Sequence, residues 1–387
     1  MKFKKLDYIM DKNGFISMII YNTHPKDCIF ISPKYFPYES GPWTSRETSN
    51  AYERFEYYWN LKPNKGGEGS GKVYEVDKNP LHQYKENVPD LFYLEPKYDP
   101  CHGVPMFCLP KDLVLQYYDA AGMYERVVKK PPEELFKYSS LLKIFRDNFS
   151  NHEIGITGSY LYGLYQEFSD LNLIIYDSAP IERFHTTLMK NEGLLERQDV
   201  SLTLPGTKWG GWLEEPLLLE SELNISLDTK LMNHIFTYEN RFIGSIHDRS
   251  NNDTRLGFWL ANTRDILEHG NFKKKVLGVA MVQAKIKDWT SGMPSGNFAL
   301  DKIKIIGFSP DIRVDNVEKT LDDENISGSK IKSMQIVSEF SRMFLFNEEI
   351  IAFGLLQEIT IIRENKSYYE LLIGGRELGG WIIPLTR

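Results

Sequence analysis

Polar and apolar residues alternate with a period of two in several stretches toward both ends of the chain. Before residue 110, GFISMIIY, CIFISPKYFP and KVYEVD have strand character, and Tyr, Pro and Gly lie between them. After residue 236, FIGSIHD, KKVLGVAMVQAKIKDW and DKIKIIGFSP alternate or run apolar, and short segments with Gly-Gly and Asn-Lys turns follow. We therefore expect two β-rich parts, the second of which is a small barrel or sandwich.

Between these parts the apolar residues recur at helical spacing. In PPEELFKYSSLLKIFRDNF the two prolines can occupy a first turn, and Leu135, Leu141, Leu142 and Phe145 follow at helical intervals. Two further helix candidates, SYLYGLYQEF and PIERFHTTLMKNEG, alternate with the strand candidates EIGITGS, LNLIIYD and LNISLDTKL. This alternation predicts a small α/β unit.

The length of 387 residues favours two or three domains over a single core. We place a β-rich N-terminal domain at residues 1–130, an α/β domain at 131–235 and a β-rich, barrel-like C-terminal domain at 236–387. The fold class that these segments predict is α+β.

Charge and cysteine content argue against a strongly basic nucleic-acid binder, a disulfide-rich protein and a four-ligand zinc protein. The net charge of −7, with no long run of one sign, disfavours a bulk electrostatic grip on nucleic acid and leaves a local basic groove open. Cys28, Cys101 and Cys108 are too few and odd in number for a disulfide framework, and CHGVPMFC matches no four-ligand zinc pattern, so we expect ordinary thiols. With no signal peptide and no apolar run that spans a bilayer, these features predict a cytoplasmic protein without a membrane partner.

One glycine-rich segment imitates a nucleotide-binding loop. GGEGSGKV at residues 66–73 supplies the glycines and the lysine of G-x-x-x-x-G-K-[ST], but Val73 stands where a hydroxyl would hold Mg²⁺. The loop also lacks the strand before it and the helix after it that the motif requires. We interpret this segment as a flexible glycine loop.

The stretch GITGSYLYGLYQEFSDLNLIIYD at residues 155–177 carries the strongest functional signal. Gly158 would let a phosphate approach the backbone at the start of a helix, and the Ser159 hydroxyl would cap that helix or bind a phosphate oxygen. Because alternate strand residues share a face, Asp170 and Asn172 point the same way, with Cα atoms about 6–7 Å apart. Such a pair could hold Mg²⁺ against a triphosphate.

Gly-Ser, a spacer of ten residues between Ser159 and Asp170, and S-D-L-N before an apolar run resemble the nucleotidyltransferase superfamily that includes DNA polymerase β. The stretch looks most like archaeal proteins described as predicted nucleotidyltransferases, and from general likeness in the flanking parts we expect the resemblance to cover most of the chain. It implies a polymerase β-like central domain that binds Mg²⁺ (or Mn²⁺) and an NTP and transfers a nucleotidyl group to an RNA, protein or small-molecule acceptor, releasing pyrophosphate. In that scheme Gly158 and Ser159 hold phosphate and Asp170 holds metal, while Asn172 and Asp228 occupy the second and third acidic positions.

Asn172 departs from the pattern of the superfamily, which has a carboxylate there. An amide oxygen can ligate Mg²⁺, but it is neutral and does not bridge two cations as a carboxylate does. Three outcomes stay open: a transferase with a degenerate metal site, a catalytically impaired nucleotide- or RNA-binding scaffold, and a structural relic.

Several other polar and aromatic residues have both a functional and an ordinary interpretation. The basic residues after the predicted metal-binding strand could contact a triphosphate or form a solvated helix face, and KWGGW could stack a base or anchor a loop. A histidine and a glutamate before the first strand of the α/β unit could contact substrate or form a surface loop, and a lysine triplet is expected to form an exposed turn. These residues are Arg183, His185 and Lys190; Lys208, Trp209 and Trp212; and His152, Glu153, Lys273, Lys274 and Lys275.

Overall fold

The computed structural model describes most of the predicted elements. The described residues are 2–37, 52–54, 91–163, 165, 170–176, 181–191, 195–197, 245–248, 251–261, 267–289, 297–309, 331–336, 349–373 and 381–384. Within them the protein is of mixed α+β class, with more strand than helix, and its strands form three sheets. None of the helices in these ranges is long and apolar enough to cross a lipid bilayer.

The first sheet contains seven strands, and its pairings are antiparallel. They are β1 (Tyr8–Asp11), β2 (Ile16–Ile19), β3 (Cys28–Pro37), β4 (Tyr52–Arg54), β5 (Lys97–Asp99), β6 (Val104–Pro110) and β7 (Val114–Tyr118), in the order β5-β6-β3-β2-β1-β7 with β4 on β3. Two 3₁₀ turns, η1 (Leu91–Leu94) and η2 (Lys111–Leu113), accompany them. The strands predicted from GFISMIIY and CIFISPKYFP are confirmed as β2 and β3, and KVYEVD lies outside the described residues.

A disulfide joins two strands of this sheet. Cys28 on β3 and Cys108 on β6 are bonded with a Cα–Cα distance of 5.6 Å, although 80 residues separate them in the chain. The expectation of three ordinary thiols was wrong for this pair, because the pairing of β3 with β6 brings the two residues together. Cys101 is free and buried. The cysteine count therefore gives no argument for a reducing compartment.

The central part combines four α-helices and one 3₁₀ helix with a five-stranded sheet. The helices are α1 (Ala120–Lys129), η3 (Glu133–Tyr138), α2 (Ser139–Asn148), α3 (Ser159–Tyr162) and α4 (Ile181–Lys190). The strands are β8 (Ile154–Thr157), β9 (Leu171–Tyr176), β10 (Leu195–Arg197), β11 (Ser245–Asp248) and β12 (Asn251–Ala261), in the order β10-β11-β12-β9-β8. β9 is antiparallel to β8 and parallel to β12.

Apolar side chains of α1, η3 and α2 pack on this sheet. Leu135, Leu141, Leu142 and Phe145 are buried there, as their spacing predicted. The predicted helix forms in two pieces, because the prolines precede a 3₁₀ segment and the α-helix begins only at Ser139. The sheet also extends past residue 235, since β11 and β12 belong to it.

The third sheet closes into a ring. Its strands are β13 (Phe272–Trp289), β14 (Asn297–Ser309), β15 (Ile331–Ile336), β16 (Glu349–Ile361), β17 (Lys366–Ile373) and β18 (Trp381–Pro384). The order is β13-β14-β15-β17-β16-β18, and an additional pairing of β13 with β16 completes a circuit of five strands. β16 can pair with both β18 and β17 because its first half contacts one and its second half the other.

A buried polar network lies among the strands of the third sheet. Lys274 Nζ donates to Glu370 Oε1 and to Gln335 Oε1, each at 2.8 Å, and Ser333 Oγ donates to Glu370 Oε2 at 3.1 Å. We expected Lys273–Lys275 to form an exposed turn, but these residues belong to β13. Alternation along the strand leaves Lys273 and Lys275 exposed, as expected, and buries Lys274.

Candidate functional site

The chain turns sharply between β8 and α3. Gly158 has φ 72° and ψ −158°, a backbone conformation open almost only to glycine. It forms the N-cap of α3, so Ser159 is the first helical residue rather than the cap. The helix spans four residues and ends at Gly163 in the left-handed region at φ 80°, which corrects the expectation of a longer helix with Gly163 inside it. A single turn contributes little dipole, so a ligand here would depend on local groups.

Asp170 and Asn172 lie beside this turn. Leu171 and Leu173 are buried on the opposite face of β9, as the alternation predicted. Asn172 is opposite Thr157 of β8, and a Cβ added at Gly158 would lie 3.2 Å from Asn172 Nδ2. The structure therefore brings the Gly-Ser turn and the Asp-x-Asn strand together.

We call the site formed by Gly158, Ser159, Asp170 and Asn172 the corner. A third segment, on β12, lies against this corner, and the sequence analysis did not identify it. Gly257 of β12 is opposite Asn172, and a Cβ at this position would lie 2.3 Å from Asn172 Oδ1 and 3.5 Å from Asp170 Oδ2. Trp259, two residues further along β12, donates its Nε1 to Asn172 Oδ1 at 3.4 Å. A glycine inside the strand-like run NNDTRLGFWLA was the available signal, because strand glycines often mark close approach by another group.

The Asp170 carboxylate is half-buried beside two tyrosines. Within the described ranges, no group donates a hydrogen bond to it, and it contributes to the raised pKa of Tyr138 and Tyr160. Burial is the largest cause of both pKa shifts. The two phenols therefore stay protonated beside this carboxylate.

No described residue supplies the third acidic side chain that the resemblance implies. Asp228 lies outside the described residues. On β12, the parallel neighbour of β9, the position opposite Asn172 is Gly257, which supplies no side chain. Among the described residues, no group of three or more His, Cys, Asp or Glu ligands contains Asp170.

The basic residues that follow β9 do not converge on this corner in the described part. Arg183 forms an ion pair with Glu153 and lies over the Phe149 ring, 5.1 Å from its centroid, which ties α4 to the loop before β8. Lys190 and His152 are exposed. The side chain of His185 and the whole of Lys208, Trp209 and Trp212 lie outside what the structure describes.

A second cluster of ligand-type side chains forms between the first and third sheets. Asp99, at the end of β5, accepts hydrogen bonds from His269 Nε2 at 2.8 Å on Oδ1 and from His102 Nδ1 at 2.7 Å on Oδ2. Cys101 Sγ accepts the N–H of Gly270 at 3.1 Å. One ligand atom from each of Asp99, Cys101 and His269 lies within 4.8 Å of the others.

Electrostatics fixes the protonation of this second cluster. Burial raises the pKa of Asp99, but the hydrogen bonds from His102 and His269 outweigh it and hold that pKa below its ordinary value. Burial lowers the pKa of His102 and raises the pKa of Cys101. The resting cluster therefore holds an ionised carboxylate, a neutral His102 and a protonated thiol.

The CHGVPMFC segment was noticed for its cysteines and histidine, but it matched no zinc spacing because one ligand comes from a distant part of the chain. Comparisons with protein-family models, with curated proteins and with solved structures found no match for this chain.

Proposed function

We propose that the corner formed by Gly158, Ser159, Asp170 and Asn172 binds a nucleoside triphosphate with Mg²⁺ or Mn²⁺, and that the protein transfers the nucleotidyl group to an acceptor. The acceptor class stays open among RNA, protein and small molecules. The observation that carries the proposal is the position of the Asn172 amide, which lies against both Gly158 and Gly257 while Asp170 reaches the same spot.

The donors at this corner suit a hard cation. Mg²⁺ prefers oxygen ligands and is bound through one or two protein groups, with water and substrate phosphates completing its shell. Asp170 offers a carboxylate without a hydrogen-bond donor in the described part, and Asn172 offers an amide oxygen. That oxygen has two lone pairs, so the contact from Trp259 Nε1 leaves one for a metal. Bound Mg²⁺ would offset the charge of the triphosphate.

The groups of this chain would act by binding and orienting the triphosphate. The missing side chain of Gly158 lets a phosphate oxygen approach the backbone, and Ser159 Oγ, which makes no hydrogen bond within the described residues, can donate to it. An acceptor hydroxyl then bonds to the α-phosphorus, the bond from that phosphorus to the bridging oxygen breaks, pyrophosphate leaves and the hydroxyl proton passes to solvent.

The proposal includes a polymerase β-like α/β domain between two β-rich domains, the last of them barrel-like. The order of the central sheet supports it, because β8, β9 and β12 are neighbours, and α3 and α4 lie between them in the chain. The closed circuit of pairings in the third sheet supports the barrel-like part.

A second candidate function is nucleotide or RNA binding without transfer. The observation that favours it is that, among the described residues, Asp170 belongs to no group of three or more ligand side chains, and an amide stands at the second position. In-line transfer depends on neutralising charge between the attacking and leaving oxygens, and a neutral amide weakens that effect.

Incubation with each NTP labelled at the α-phosphate, Mg²⁺ or Mn²⁺, and RNA, protein or small-molecule acceptors separates the two candidates. We expect label on an acceptor with the wild type and with Asp112→Ala, an exposed aspartate that serves as control, and none with Asp170→Ala. Asn172→Asp should tighten metal binding. Nucleotide that binds without label transfer would leave the scaffold function, and absence of both would refute the proposal.

A further inference from the structure

We propose that Asp99, Cys101 and His269 form a binding site for a divalent metal ion of the zinc class. The three residues come from two different sheets. Asp99 is the last residue of β5, Cys101 lies in the turn that follows it, and His269 lies just before β13, 170 residues from Asp99.

The backbone holds these two segments together without help from a metal. The N–H of Lys274 donates to the carbonyl of Pro100 at 2.9 Å, and the N–H of His269 donates to Thr23 Oγ1 at 2.7 Å. Gly103 has φ 71°, and a Cβ there would lie 3.1 Å from the Lys274 carbonyl oxygen, so the turn approaches β13 closely. The ligand atoms are therefore positioned in advance, which lowers the cost of ordering a metal site.

The donor set matches zinc in its chemistry. Carboxylate oxygen, thiolate sulfur and imidazole nitrogen are its usual protein ligands, at about 2.0–2.3 Å. Such bonds place tetrahedral ligand atoms roughly 3.3–3.8 Å apart, which a group of atoms within 4.8 Å can reach by small side-chain movements. Binding would remove the proton from the Cys101 thiol, and His269 would change tautomer so that Nε2 presents its lone pair.

The surroundings of Asp99 leave one of its oxygens for the metal. Oδ2 accepts both the backbone N–H of His102 at 2.9 Å and its Nδ1–H at 2.7 Å. The His102 ring is held in place by stacking on Tyr21, with ring centroids 3.8 Å apart. Oδ1 therefore points to His269, and a hydrogen-bonded carboxylate ligand of this kind is typical of metal sites.

Hydrogen bonding to Asp99 explains why the two histidines lie against it, but it does not explain why the Cys101 thiol lies beside them. Cys101 Sγ instead faces the N–H of Gly270, a donor that stabilises a thiolate, and Gly270 follows the ligand His269 directly. A metal site would explain why three different side chains that can each coordinate a metal lie together.

Three protein ligands leave a fourth coordination position. The His269 side chain is 20% exposed and borders an open groove whose other charged lining residues are three lysines, Lys2, Lys26 and Lys111, and one acid, Glu268. Water or a small anion from this basic groove would complete a tetrahedral shell. His24 lines the same groove, and its buried Nε2 makes no hydrogen bond within the described residues.

Metal titration of the full-length, chelator-treated protein tests the site. We expect one Zn²⁺ per chain by elemental analysis and a higher melting temperature on binding, because a metal would link the first sheet to β13. With Co²⁺ we expect an intense thiolate-to-metal charge-transfer band. Asp99→Asn, Cys101→Ser and His269→Gln should each weaken binding by more than about 100-fold, since loss of a supporting hydrogen bond alone costs 10–100-fold.

His152→Ala, which removes an exposed histidine, is the matched control and should bind like the wild type. Asp170→Ala should also keep the metal, so failure here is distinguishable from failure of the proposed function. The far-UV circular dichroism spectrum shows which variants are folded. Less than stoichiometric binding by the wild type, or a charge-transfer band that persists in Cys101→Ser, would overturn the proposal; if Cys101→Ser does not fold, His269→Gln gives the same decision from Zn²⁺ affinity.

Discussion

Asn172 and Gly257 are opposite each other in the parallel pair of β9 and β12, and the amide oxygen of Asn172 occupies the space that a side chain at 257 would need. The added Cβ would lie 2.3 Å from that oxygen. Both the strand register and the orientation of the candidate ligands therefore depend on a residue without a side chain.

Gly257→Ala is expected to displace Asn172 and, with it, Asp170. We predict a loss of about 1–3 kcal/mol in the free energy of unfolding, typical of overpacking, and weaker binding of Mn²⁺ and nucleotide. Gly122→Ala is the control, because the nearest atom to its Cβ is the end of the Asp119 side chain at 2.9 Å, which can move. Urea unfolding and Mn²⁺ titration measure the two effects, and unchanged Mn²⁺ binding in Gly257→Ala would show that the corner does not hold metal.

Gly158→Ala and Gly163→Ala separate backbone strain from damage to the site. Both glycines have positive φ, but a Cβ at Gly158 would lie 3.2 Å from Asn172 Nδ2, whereas no atom of the described residues lies within 4 Å of one at Gly163. We expect a loss of about 1–3 kcal/mol for Gly158→Ala and about 1 kcal/mol for Gly163→Ala. Nucleotide binding, followed by equilibrium dialysis, should fall in the first variant alone; equal loss in both would argue against a phosphate at Gly158.

Asp7 should make stability depend on pH in the acidic range. Burial raises its pKa from 3.8 to about 6, against the hydrogen bonds from Tyr117 and Ala120. Because the folded state holds this proton more tightly, the contribution to stability is complete below about pH 3.8 and is lost as the pH rises to about 6. The difference corresponds to roughly 3 kcal/mol.

Asp7→Asn removes the charge and keeps one acceptor oxygen for the Ala120 N–H, while its amide NH2 can donate to the Tyr117 hydroxyl oxygen. We expect it to stabilise the protein at pH 7 and to reduce the loss between pH 4 and 6; part of that loss stays, because burial also raises the pKa of Asp11 to about 6. Asp112→Asn on the surface controls for the change in net charge. We would measure the free energy of unfolding across pH 4–8. If the variant shows the same dependence of this free energy on pH as the wild type, groups other than Asp7 cause that dependence.

The buried pair of Lys274 and Glu370 should tolerate joint replacement better than loss of one partner. Their side chains are 6% and 2% exposed, so Glu370→Gln leaves an ammonium group buried without its counter-charge. We expect that single change to cost about 3–5 kcal/mol, and the double change Lys274→Met with Glu370→Leu to cost less. Chemical denaturation decides this, and a single variant within about 1 kcal/mol of the wild type would contradict it.

The disulfide predicts a defined thiol count. In denaturant without reductant, Cys101 alone should react, and reduction should expose all three cysteines. Because the bond closes a loop across a separation of 80 residues, its reduction should remove about 2–4 kcal/mol of stability. Cys101→Ser should keep this sensitivity to reductant. Three reactive thiols before reduction would show that the bond is not formed.

Local patterns predicted much of the fold. Apolar runs and alternation identified β2, β3, β8, β9, β13 and β14, since a strand with one buried face alternates and a strand buried on both faces runs apolar. The same alternation placed Asp170 and Asn172 on one side of β9. The segment of β16 was expected to form several short strands, but β16 is one strand of 13 residues. The length of α3 was overestimated, because Gly163 ends the helix by adopting a left-handed conformation that the apolar spacing does not report.

The sequence by itself determined which segments form strands and helices and which residues share a face, because backbone geometry and burial act between near neighbours. Only the tertiary structure decided that Gly257 contacts Asn172, that Cys28 bonds Cys108 and that His269 reaches Asp99. These partners are 80 or more residues apart, and their contacts depend on the balance of chain entropy and packing over the whole protein, which no local pattern records.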